Sequence, residues 1–335
     1  MAKRDPTDST DSGTPLLFAR VLDGEGGGRP IQWEEVQDWV PQTPGEVLWI
    51  HLCRNKSGVY DWLQDAIGIP EPTAELLTSD ETRPRAFREG ETLVATLRGI
   101  NFNPGAEPED MVSMQLWCDG RRLITLRRHP LQTPRDTLAL IDRGRGPMDA
   151  GAVITNLTEL LVARMNQSIV DMNSHIDRCE DMDLDDEAGE TLEQIASIRR
   201  NCLALQRHMG PQHVALEAIS REAPYWFEDH DRREIAETID RLRRYLDDID
   251  ISKESAVVLM DELRARALAR SERTNHVLTI VAGIFLPLGF LTGLLGINVG
   301  GMPGVEDNDA FWEVVLLCVA ILAVQVVLFW KWKWL

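Results

Sequence analysis

Two long uncharged stretches near the C-terminus limit what this chain can be. Residues 277–297 read VLTIVAGIFLPLGFLTGLLGI, 21 positions without a charge. A second apolar run occupies 311–331, broken early by Glu313 and closed by Lys331. A helix of about 20 apolar residues crosses a bilayer core. The pattern predicts two transmembrane helices joined by the loop 298–310, which is too short to fold alone. Everything ahead of residue 277 is then something attached to a membrane hairpin.

The charges flanking the two runs predict their orientation. Arg264, Arg266, Arg270 and Arg273 precede the first span, and Lys331 and Lys333 close the second. The loop carries Glu306, Asp307 and Asp309 and no Lys or Arg. The positive-inside rule puts both termini in the cytoplasm and the loop outside, with Trp330, Trp332 and Trp334 as an interfacial belt. The four arginines are membrane-surface anchors on this reading. Arg270 alone falls on the inward register of the preceding helix, which makes it a candidate for the interior.

A net charge of -19 argues against a nucleic-acid partner. Most of it is read as serving solubility. The 5 cysteines are scattered and form no CxxC pair, so a disulfide framework is not expected. The opening segment, 1–14, has no apolar core of a cleavable signal and reads as a disordered lead.

Residues 15–148 are expected to form a mixed α/β domain, and 149–276 a helical section and stalk. Leu16–Leu22, Val47–Cys53 and 93–102 are strand-like, while 33–40, 59–67 and 72–78 are short helix candidates. MQLWCDGRRLITLRR places Asp119–Gly120 between two β-rich runs, which predicts a tight hairpin. No GxGxxG, GxxxxGK[ST] or nucleophile elbow occurs, so nothing points to nucleotide binding or to an enzyme. Further on, 153–182 and 191–209 have helical periodicity. Gly210–Pro211 is expected to stop the second, with a short helix over 212–221 after it. Asp231 and Glu234 resemble a capping box opening a long helix. Along it Ile235, Ile239, Leu242, Leu246, Ile249, Lys253, Ala256, Met260, Leu263 and Ala267 alternate steps of four and three. That is a heptad seam, which needs partner helices. The same helix leads without a break into the first span.

Two helices cannot enclose a pore, so any transport would require several copies. The first span is rich in glycine, at Gly283, Gly289, Gly293 and Gly296. Small residues either let helices touch closely or leave room along an axis, and both roles stay open. Pro287 leaves the Gly283 carbonyl without its usual donor, which fits either a kink or a wet cavity. Asn298 can cap the helix end or contribute its side-chain carbonyl to a ring around a hydrated cation.

Gly296-Ile297-Asn298 resembles the Gly-Met-Asn signature of the CorA-type divalent metal ion transporters, with Ile in place of Met. The approach LPLGFLTGLLGIN resembles the family's first span. The extension VGGMPG, the run ETRPR at 81–85 and the terminal Lys-Trp-Leu are similar to the zinc-transporting, ZntB-like branch. The resemblance covers nearly the whole chain. It implies a homopentamer in the bacterial inner membrane, a cytoplasmic α/β/α funnel, and a stalk helix that becomes the pore wall. It makes Gly296, Ile297 and Asn298 the selectivity filter, with Asn298 as the outer ring. Leu286, Gly289 and Gly293 become pore-lining, and Glu306, Asp307 and Asp309 an outer acidic loop. The family usually has Thr at the position of Gly289, and the magnesium-selective members Tyr at that of Leu295. The implied cargo is Zn2+, with uptake coupled to protons; Mg2+, Co2+, Ni2+ and Cd2+ are the other candidate cations. No cofactor is implied.

A zinc ion stripped of water wants His, Cys or carboxylate ligands, and the apolar face of the first span offers none. The ion is therefore expected to pass largely hydrated. Elsewhere, His51 with Cys53, His175 with Cys179, and His208 with His213 are half-sites at best, and each is read as ordinary core or surface. The eight carboxylates between Asp177 and Glu190 read as a solvated turn, with a regulatory divalent site as the alternative. A membrane-tethered metal sensor or scaffold without conduction is the competing class.

Overall fold

The computed structural model describes residues 13–107, 109–181, 188–297, 309–332 and 334. Contacts divide the chain into two units, Met1–Met260 and Asp261–Leu335.

The first unit is built on a sheet of seven strands: β1 (Leu16–Leu22), β2 (Gly28–Pro30), β3 (Val47–Cys53), β4 (Arg85–Glu89), β5 (Thr92–Gly99), β6 (Val112–Cys118) and β7 (Arg122–Arg127). Their order is β2-β1-β3-β7-β6-β5-β4, with β3 and β7 parallel and the other neighbours antiparallel. β3 is apolar on both faces because both are covered. Trp49 faces one core layer, and Leu48, Ile50 and Leu52 the other. The hairpin between β6 and β7 forms around Asp119–Gly120, with Asp119 Oδ1 accepting from the backbone N–H groups of Arg121 and Arg122.

The helices lie on the two sides. On one, α1 (Trp33–Gln37), α2 (Val59–Asp65) and α3 (Glu71–Thr78) cover the sheet with Val36, Trp62, Leu63 and Leu77. On the other, α4 (Gln132–Ile141), α5 (Ala150–Ala163), α6 (Met165–Asp181), α7 (Ala188–Glu222) and the N-terminal part of α8 (Asp229–Leu295) contribute Leu138, Leu157, Ile169, Leu205 and Ile235. This is the α/β/α arrangement followed by a long helix and an apolar C-terminal helix, α9 (Ala310–Lys331).

Four local expectations are corrected. The two short edge strands β2 and β4 were not anticipated, because Gly-Arg-Pro and Arg-Ala-Phe-Arg-Glu lack an apolar run. Charged, short edges are how sheets avoid further pairing. The periodic stretch 153–182 is two helices, divided at Arg164, the C-cap of α5. The helix α7 runs straight through Gly210–Pro211. Proline forfeits one intrahelical bond there. Its neighbour Gln212 is anchored instead: Oε1 accepts from Arg98 N at 2.6 Å, and Nε2 donates to Arg98 O at 2.9 Å. Packing overrides the propensity. Last, the cap of α8 is shifted. Asp231 Oδ2 accepts from Glu228 N at 3.0 Å, so Asp231 completes a cap centred on Glu228 rather than opening one with Glu234.

The seam on α8 is present as far as Leu263, and Ala267, its last position, is exposed. Ile235, Leu242, Ile249, Ala256 and Leu263 are buried at every seventh position, and Ile239, Leu246, Lys253 and Met260 are half-buried between them.

Candidate functional site

The second unit holds the apolar end of α8 and the helix α9, each long and apolar enough to cross a membrane. They pair antiparallel. On α8 the half-covered positions are Ile280, Ala282, Gly283, Ile284, Leu288 and Leu291; on α9 they include Cys318, Ile321, Gln325 and Phe329. Gly283 is a contact glycine, since a Cβ there would stand 2.8 Å from Phe329 Cζ. At the other end of the pair, His276 Nε2 lies 2.9 Å from Trp334 O, and Trp334 stacks on Phe329.

Pro287 sits inside α8, and the helix continues through it. The Gly283 carbonyl, which has no N–H from residue 287, accepts instead from Gln325 Nε2 at 3.1 Å. A polar side chain in the middle of an apolar span needs such a partner. Gln325 was not singled out from the sequence. The signal was a single amide inside an apolar run, facing a proline-broken carbonyl.

Among the described residues the other face of α8 is open. At 100° per residue, Leu286, Gly289, Gly293 and Gly296 fall within an arc of about 80°, centred about 100° from Gly283. A Cβ on Gly289 or Gly293 would meet no atom within 4 Å. Leu286 is 70% exposed. The hydroxyls of Thr279 and Thr292 are turned back to their own helix, donating to Asn275 O and Leu288 O. Gly296 N donates to Thr292 O at 3.0 Å and Ile297 N to Leu294 O at 3.5 Å, the last bonds at this end of α8. Asn298, Glu306 and Asp307 lie outside the described residues. Asp309 stands at the start of α9, where its carbonyl accepts from Trp312 N and Glu313 N.

Of the basic residues before the span, Arg264 pairs with Asp261 and Arg266 with Glu262, both along α8 itself. Among the described residues no group of three His, Cys, Asp or Glu side chains is placed to hold a metal. His51 is a core residue: it is buried, its Nδ1 lies 2.8 Å from Thr125 Oγ1, and its ring lies against Phe18. Burial and the charge of Arg127 push its pKa well down. His213 sits 3.9 Å from Glu217 on α7.

The sequence profile described as "CorA-like Mg2+ transporter protein" matches residues 44–331. A protein of Pseudomonas aeruginosa described as "Divalent cation transporter CmaX" is 36% identical over 96% of this chain and 97% of its own. The solved full-length CmaX structure superposes with a TM-score of 0.85, covering 95% of this chain and 98% of that one. A "Zinc transport protein ZntB" of Pectobacterium atrosepticum is 33% identical over 91% of both chains. The CorA magnesium transporter of Methanocaldococcus jannaschii, only 16% identical, shares the fold with a TM-score of 0.77 over 95% of this chain and 98% of its own. The chain therefore belongs to the CorA-like Mg2+ transporter protein family, a family of membrane transporters of divalent cations and not of enzymes.

Proposed function

We propose that the protein takes up divalent cations, Zn2+ foremost, through a central pore formed by five copies. The α8 span is the pore wall, α9 the lipid-facing jacket, and Gly296-Ile297-Asn298 the filter. The observation that carries this reading is the division of α8 into two faces. Gly283 and the carbonyl it bears are committed to α9. Leu286, Gly289 and Gly293 are committed to nothing among the described residues of their own chain. A single pair of helices encloses no path, so an open glycine face that leads into a filter motif calls for further copies.

The remaining parts of the reading are electrostatic. Glu306, Asp307 and Asp309 in the loop raise the local concentration of cations at the pore mouth. Asn298 offers an amide oxygen that can hold a hydrated ion without stripping its water. With no soft ligand on the open face, the ion passes with its hydration shell largely intact. A relative described as a zinc transport protein supports Zn2+. The description of the family itself names Mg2+, which sustains a second reading, a Mg2+ channel that also admits Co2+ or Ni2+. Leu295, standing where magnesium-selective members resemble one another in carrying Tyr, weighs against it.

The test is flux into proteoliposomes with Zn2+ or Mg2+ outside, with and without a pH gradient. Zn2+ uptake is expected, faster down a proton gradient, and lost in Asn298→Ala while the oligomer keeps its size. Unchanged Zn2+ flux in Asn298→Ala would sink the filter assignment. No flux of any divalent cation in the wild type would leave a tethered sensor or scaffold.

A further inference from the structure

The sheet of the first unit ends in a crevice that the transport reading does not use. β3 and β7 run parallel and finish together, and one residue beyond the ladder Arg54 N still donates to Arg127 O at 3.0 Å. After β3 the chain turns to α2 and α3 on one face of the sheet. After β7 it turns to α4 and α5 on the other. Where adjacent parallel strands send their connections to opposite sides, the departing loops leave a gap, and open α/β sheets bind their ligands there. Here that gap is a cavity of 710 Å³, a size suited to a small molecule.

Its walls are basic in a protein that has 54 acidic side chains against 35 basic ones. Arg54, Arg98, Arg128 and Arg207 face Asp80 and Asp110 across it. Asp80 Oδ1 accepts from both Arg54 Nη2 at 3.1 Å and Arg128 Nη1 at 2.8 Å, so one carboxylate serves two guanidiniums. Arg98 has neutral acceptors only: Nε donates to Thr82 O at 2.9 Å, Nη1 to Met111 O at 2.6 Å, and Nη2 to Thr82 Oγ1. No carboxylate among the described residues accepts from it. Arg207, exposed on α7, has no carboxylate partner among the described residues. Arg54 is 7% exposed, and its Nε has no hydrogen-bond partner among the described residues. His208 reports the local field: burial and the charges of Arg98 and Arg207 bring its pKa down to about 4.

We propose that this crevice binds a small polyanion carrying phosphoryl groups, with Arg128 and Arg207 at the rim and Arg98 beneath them. Guanidinium forks match phosphoryl oxygens in pairs, and such charge-assisted bonds are about twice as strong as neutral ones. All the lining residues belong to the unit Met1–Met260, and the inference stands whether or not the Zn2+ reading does.

The experiment is titration of the full-length protein in detergent with pyrophosphate and with inorganic phosphate, free of divalent cations. Three proteins are compared: wild type, Arg128→Gln/Arg207→Gln, and the control pair Arg199→Gln/Arg200→Gln, which removes the same charge from exposed positions of α7 that do not line the cavity. Saturable pyrophosphate binding is expected in the wild type and the control. The rim pair should bind about tenfold or more weakly, as loss of a charge-assisted bond implies, with its melting temperature in the absence of ligand unchanged. If the rim pair misfolds, Arg207→Gln alone takes its place. Absence of saturable binding in the wild type, or equal weakening in the rim and control pairs, overturns the proposal.

Discussion

Replacing Gln325 by Leu removes one bond whose purpose is specific enough to test. Pro287 cannot donate to the Gly283 carbonyl, and Gln325 Nε2 does so at 3.1 Å. In a bilayer no water offers itself as a substitute. Interhelical bonds from polar side chains in membrane proteins contribute on the order of 0.6–1.7 kcal/mol. An opposing term acts on the same side chain. Gln325 Oε1 is buried without a partner among the described residues, and removing it relieves a cost of about 1 kcal/mol. The single substitution is therefore expected to change stability little. The informative measurement is a double-mutant cycle with Pro287→Ala, which returns an N–H to the Gly283 carbonyl and makes the Gln325 bond redundant. Gln325→Leu should then be more favourable in the Pro287→Ala background than in the wild type by about 1 kcal/mol. Reversible unfolding of the four full-length proteins in mixed micelles gives the four free energies. Equal effects of Gln325→Leu in both backgrounds, within about 0.3 kcal/mol, would refute the idea that Gln325 serves the carbonyl opened by Pro287.

Other substitutions separate packing from function. Asp231 is almost fully buried, and burial raises its pKa to about 6, against the opposing Glu228 N–H bond, with Asp149 and Glu228 adding to the rise and His230 countering it. Between about pH 4 and 6 the folded protein thus holds a proton that the unfolded chain has released, and stability falls as pH rises through that window. Asp231→Asn keeps an acceptor for Glu228 N and should stabilise the protein at pH 7.5 by up to about 3 kcal/mol, flattening the dependence of melting temperature on pH between 4 and 6. Gly289→Ala and Gly293→Ala should leave the melting temperature unchanged, because the added Cβ meets nothing within 4 Å. They should lower cation flux in proteoliposomes, and unaltered flux would remove these glycines from the ion path. Gly120→Ala should cost about 2 kcal/mol in thermal unfolding, since Gly120 has φ +87° and Trp226 Cγ stands 2.6 Å from the new Cβ. Part of that loss is the bond from Trp226 Nε1 to Glu91 O.

What could be read ahead of the structure depended on whether a feature is local. Leu16–Leu22 and Val47–Cys53 are runs of β-branched and large apolar residues, and both became strands with those limits because such runs serve the centre of a sheet. The seam on α8 was legible for the same reason, as a period held over many turns. The passage of α7 through Gly210–Pro211 was not, because Gln212 finds its anchor at Arg98, 114 positions away. Gln325 was missed similarly, its partner carbonyl lying 42 positions back. The arginines of the crevice come from just beyond β3 and β7, from β5 and from α7, and share no spacing at all. A site assembled from separate strand ends leaves no periodic trace, whereas the Gly296-Ile297-Asn298 motif is contiguous and is recognised by resemblance alone.

The glycines of the first span show how a structure can divide an ambiguity that composition leaves whole. Close packing and open space both favour glycine, so a count of four such residues decides nothing. Position relative to α9 does decide. A side chain at Gly283 would displace the Phe329 ring and disturb the carbonyl that Gln325 holds, so its smallness is used within the chain. Gly289 and Gly293 satisfy no such need, since α9 never approaches them within 4 Å of a Cβ. In hydrocarbon, glycine on a lipid face gives up dispersion contacts that Leu or Val would make. Glycine turned away from its partner helix, at a cost in dispersion contacts, needs another reason. Close approach of a second copy, or room for a hydrated ion, are the two that remain. Substitution by Ala distinguishes them, because the first role shows in assembly and the second in flux.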